Sequence, residues 1–74
     1  MTALALQRDL VQAYDAAIAT FRRMITERGA APVPVAVTMS PGDGIAAAIK
    51  RRKRIHDALY LQLTTLMKGA RHHA

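Results

Sequence analysis

The sequence predicts an all-α fold, an antiparallel two-helix hairpin with an extended Val/Pro-rich connector. Three observations lead there. Two long segments each carry an apolar stripe at helical spacing, and in the first the apolar residues recur every seven positions. Gly29 and Gly69 follow those segments, where glycine suits a helix stop. Between them lies Ala30-Ala31-Pro32-Val33-Pro34-Val35-Ala36-Val37-Thr38-Met39, in which two prolines forbid a regular helix.

The first helix is expected over about residues 3–28. Leu4, Val11, Ile18 and Ile25 form one row, Leu10, Ala17 and Met24 a second, Tyr14 and Phe21 a third. Together they make an apolar stripe wider than a two-row coiled-coil seam. Arg22, Arg23 and Arg28 stand near its end, where cations complement the helix dipole.

In the connector, Val33, Val35 and Val37 alternate with Pro34, Ala36 and Thr38, a strand-like period. Two readings stand: an extended strap over the groove between the helices, or a short edge strand over residues 33–39 that pairs with a symmetry mate or a partner's sheet. Ser40-Pro41-Gly42-Asp43 then resembles a capping box with proline at the first helical position, although Asp43 could itself be the cap.

The second helix is expected over about residues 41–67. Ile45, Ala48, Ile49, Ile55, Leu59, Leu63, Leu66 and Met67 form its stripe. Residues 1–74 read as one small domain, with 68–74 as a flexible tail. A two-helix hairpin cannot enclose the wide stripe of its first helix. A homodimer closing into a four-helix bundle is the simplest remedy. Leu4, Val11, Ile18, Ile25, Leu59, Leu63 and Leu66 are the candidate seam for a second copy or a partner.

Composition narrows the function. With 74 residues, no Cys and no Trp, the chain has no disulfide or Cys-based zinc site to stabilise it, which leaves oligomerisation. No apolar run approaches the roughly 18 residues of a membrane span, and residues 1–9 do not read as a secretory signal. A cytoplasmic protein with no membrane partner is expected. Rich Ala and Arg usage points to a bacterial or phage source.

The net charge of +6 is concentrated in residues 45–74, which raises the prior for an acidic partner. Lys50-Arg51-Arg52-Lys53-Arg54 looks like one basic motif, but successive helical residues are about 100° apart. Taking Ile45 as zero, Lys50, Arg54 and Arg51 fall at about 140°, 180° and 240°, away from a stripe centred near 340°. Lys53 lies on the flank, and Arg52 lies in the stripe with His56 one turn later. The outward trio could be a solvated face, a phosphate-binding patch or a dock for an acidic protein. Arg52 could pack its stem and pair with Asp9, Asp15 or Glu27. Alternatively, Arg52 and His56 face a partner or the other protomer.

Catalysis finds little support. His56 is isolated, and His72 and His73 are adjacent, so they do not converge on one helical face. No metal, cofactor or catalytic site is expected, and Pro41-Gly42-Asp43-Gly44 lacks the spacing of a phosphate loop. The expected function is therefore a non-enzymatic protein-interaction module: a dimeric helical hairpin that binds and modulates a larger protein as inhibitor or adaptor, of the kind a phage or mobile element encodes against a host factor. Two alternatives remain: a nucleic-acid-binding regulator that uses Lys50, Arg51 and Arg54, and a structural subunit of a larger assembly. The candidate partner-binding residues are Lys50, Arg51, Arg52, Arg54 and His56.

Overall fold

The structure is a computed structural model. It describes residues 3–36, 42 and 44–72, with the side chains of residues 4 and 70–72 left aside. The all-α expectation agrees with it: two helices, α1 (Ala3–Glu27) and α2 (Ile45–His72), pack against each other, and no strand occurs among the described residues.

α1 ends in a Schellman motif. Gly29 has φ +80°, a conformation that a Cβ would strain. Its N–H donates to the Thr26 carbonyl at 2.9 Å, and the Ala30 N–H donates to the Ile25 carbonyl at 3.2 Å. Ala30 also packs against the core that contains Ile25, the apolar contact that accompanies this motif. The Arg28 guanidinium reaches back to the Met24 carbonyl at 3.2 Å and satisfies another terminal acceptor.

α2 opens with the Ala48 N–H on the Gly44 carbonyl at 3.2 Å. The proposed cap residues Ser40, Pro41 and Asp43, and residues 37–39 of the proposed strand, lie outside the described residues. The far end differs from expectation. α2 does not stop near Met67 but runs through Gly69 to His72. A glycine inside a helix costs only about 1 kcal/mol relative to alanine, which weakens a helix without ending it. Gly69 lacks the positive φ seen at Gly29.

The direction of packing is a second correction. Asp15 meets Arg52, Tyr14 meets His56, Phe21 meets both His56 and Tyr60, and Ala31 and Val33 meet Gln62. Residue numbers rise together along both helices, so α1 and α2 run in the same direction and not antiparallel. Apolar periodicity fixes which face a helix buries but is indifferent to its direction. The connector decides the direction, and residues 28–44 are long enough for either. At the level of Gln62 the chain still has to return about 25 Å to begin α2 at Ile45, well within the reach of an extended segment of this length.

The core is small. Ile18, Ile25, Leu59 and Leu63 are buried, with Tyr14, Phe21, Met24, Ala30, Ile55 and Leu66 packed around them. Four of the residues proposed as a seam for a partner are thus consumed inside the chain. Val11 and Leu66 are half-buried, and the Leu4 side chain is outside the description. The molecule measures 49 × 28 × 15 Å.

Candidate functional site

The flat shape gives the molecule two broad faces and an outer edge, and each carries different chemistry. The first face holds the Arg52 site. Arg52 Nε donates to Asp15 Oδ1 at 2.8 Å, and Nη1 donates to the Ala48 carbonyl at 3.2 Å. The Arg52 side chain retains 29% of its accessibility, Asp15 56%. The guanidinium lies along the helix pair with its charge compensated, which is the internal pairing considered from sequence, with Asp15 as the partner. Arg22 and Arg51 border the shallow hollow beside it.

The second face holds His56, ringed by aromatic side chains. Its ring centroid lies 5.5 Å from Tyr14, 5.1 Å from Phe21 and 6.4 Å from Tyr60. The Tyr14 contact is edge-on, and the Tyr60 ring is nearly parallel. His56 Nδ1 lies 3.1 Å from Asp57 Oδ1, a hydrogen bond when Nδ1 carries the proton. His56 therefore tethers the two helices through ring packing, an arrangement that stabilises by geometry as well as by area.

Apolar surface continues outward from this cluster. Leu10 is one turn before Tyr14, Leu6 two turns before it, and Met67 two turns after Tyr60, so all share that face. Leu6 and Tyr60 each keep 55% of their accessibility, and Leu10 and Met67 are also exposed. The sequence-derived seam missed these residues because it followed the centre of the stripe. The residues left over for a partner lie at its edge.

The outer edge is the side of α2 turned away from α1. Lys50, Lys53 and Arg54 are exposed there, and no ion pair engages them among the described residues. With Asp57 they border a shallow depression of about 390 Å³. Further along the same helix, Val33, Ala58, Leu61, Gln62, Thr65 and Leu66 line a groove of about 450 Å³. Gln62 builds one wall of this groove. Its Oε1 accepts from the Val33 N–H at 2.9 Å, and its Nε2 donates to the Ala31 carbonyl at 2.8 Å. This side-chain amide imitates one rung of a β-ladder and holds the start of the connector against α2. Nothing in the local sequence marks Gln62, because its role depends on a segment 30 positions away.

The described residues contain no cluster of three or more His, Cys, Asp or Glu that could hold a metal ion. No helix among them is long and apolar enough to cross a membrane. Comparison of the chain with protein families, with curated proteins and with solved structures finds no match.

Proposed function

We propose that the chain is a small non-enzymatic interaction module that pairs with a second copy and then binds and modulates a larger protein, as inhibitor or adaptor. The observation that carries this reading is the surface the single chain leaves open. It exposes 5603 Å² at a mass of 8.1 kDa, where a compact monomer of that mass exposes about 4,500 Å². Its radius of gyration is 14.8 Å against about 11 Å for a compact 74-residue domain.

Two helices share a single seam, here the four-residue core, and no third helix among the described residues covers the outer faces of the pair. The face bearing Leu6, Leu10, Tyr60 and Met67 is where the second layer belongs. A pair that buried about 1,100 Å² on each copy would bury about 2,200 Å² in all, within the range of obligate homodimers. Two such slabs stacked on that face form a four-helix bundle, a geometry that uses the same surface of both copies.

Regulation of a larger protein is tested by capture. The immobilised full chain is exposed to nuclease-treated extract, and a stoichiometric retained protein is the expected result. Loss of every retained protein on nuclease treatment contradicts the reading. It would favour the alternative, contact of Lys50, Arg51 and Arg54 with nucleic acid. The exposed, uncompensated Lys50 and Arg54 support that second reading, which predicts a mobility shift abolished by Lys50→Glu and Arg54→Glu and a steep dependence on salt.

A further inference from the structure

We infer that the outer edge of α2 is a docking stripe for an amphipathic acidic helix of a partner protein, with Leu61 as its apolar centre. This inference rests on the reading that the chain works by binding protein, and it uses a surface separate from the one assigned to the second copy.

Leu61 is the most exposed large apolar side chain among the described residues, at 67%. Arg54 lies seven residues before it and Lys68 seven after, and both are exposed. At 1.5 Å per residue and 3.6 residues per turn, the three share one face, with cations about 10 Å on either side of the leucine. Lys50 extends the row by one further turn. The groove beside Leu61 is walled by Val33, which Gln62 holds in place through its two hydrogen bonds.

This arrangement specifies the partner's chemistry. A helix laid along the stripe needs an aliphatic or aromatic anchor for the groove, with carboxylates about two turns to either side. Helix-in-groove recognition supplies anchors at such spacing, and charge complementarity fixes the register. Nucleic acid fits the stripe less well. The polar groups at its centre are already engaged: the Gln62 amide with Ala31 and Val33, and the Thr65 hydroxyl with the Leu61 carbonyl at 2.9 Å. The cations stand about 10 Å on either side of an apolar centre, which offers nothing to a phosphate.

The test is selection from a displayed library of random 16-residue peptides on the immobilised full-length chain, with nuclease present. Selected peptides are then synthesised and titrated by fluorescence anisotropy. The expected winners carry an apolar anchor with Asp or Glu seven residues from it. Leu61→Asp, and separately Arg54→Glu with Lys68→Glu, each weaken the selected peptide at least tenfold, while sedimentation of the variants stays that of wild type. Absence of enrichment, enrichment without acidic residues, or binding indifferent to Leu61→Asp overturns the proposal. Binding that depends on Leu10 and Tyr60 instead rejects this stripe but leaves the protein-binding reading intact. A 30-nucleotide single strand whose binding responds to the charge reversals and not to Leu61→Asp assigns the stripe to nucleic acid and also overturns it.

Discussion

The pair Asp15–Arg52 offers a direct check on how the helices are arranged, because together with Tyr14–His56 and Phe21–Tyr60 it sets the register of two helices that run in the same direction. With Ile18 at the level of Leu59 and the helices antiparallel, Asp15 would face residue 62, about 15 Å along α2 from Arg52. A hydrogen bond between charged groups contributes about 1.5–3 kcal/mol when desolvated. Asp15 is more than half exposed, so screening reduces the expected coupling to about 1 kcal/mol. Asp15→Ala alone is a poor readout, since alanine recovers roughly half a kcal/mol of helix propensity and masks part of the loss. A double-mutant cycle of Asp15→Ala with Arg52→Met cancels that term. Urea unfolding followed by circular dichroism, at one fixed protein concentration, gives the four free energies. The expected coupling of about 1 kcal/mol corresponds to roughly 4–8 °C in Tm for a domain of this size. It should fall at 1 M salt. A coupling below about 0.3 kcal/mol would refute the ion pair.

Further expectations concern the core, the glycines and the connector. Ile25→Ala removes a fully buried side chain from a core of four; a loss of about 2–5 kcal/mol should abolish most cooperative unfolding seen by far-ultraviolet circular dichroism. Gly29→Ala should destabilise by about 1 kcal/mol because of its positive φ. Gly69→Ala, whose added Cβ meets nothing within 4 Å, should stabilise by about 0.5–1 kcal/mol in urea unfolding followed by circular dichroism. Gln62→Ala removes two solvent-facing hydrogen bonds, together about 1 kcal/mol. Amide exchange at Val33 should accelerate selectively, with protection in α1 unchanged.

The parts of the fold that depend on local periodicity and capping were legible from sequence. Both helices and the Gly29 stop follow from 100° per residue and from glycine's tolerance of positive φ. The division of the Lys50–Arg54 run was only partly legible: Arg51, expected to face outward, borders the hollow beside Arg52, and Lys53, expected on the flank, joins Lys50 and Arg54 at the outer edge. The compensation of Arg52 was also accessible, because a guanidinium in an apolar stripe requires an anion and few are available. Helix direction was not legible, since the same stripe serves either orientation. Gly69 was misread because glycine alone does not distinguish a weak helical position from a stop. Gln62 and the His56 cluster depend on residues brought together from distant positions, and Leu6, Leu10 and Leu61 became candidates only when the structure showed which apolar residues remain exposed.

The central claim is that one pair of helices is half of the folded unit, and sedimentation equilibrium of the full chain tests it most directly. The account predicts a discrete species of twice the 8.1 kDa chain mass at micromolar concentration, converted to monomer or unfolded chain by Leu10→Asp with Tyr60→Asp. A folded monomer at every concentration, with the double variant equally stable, would contradict it.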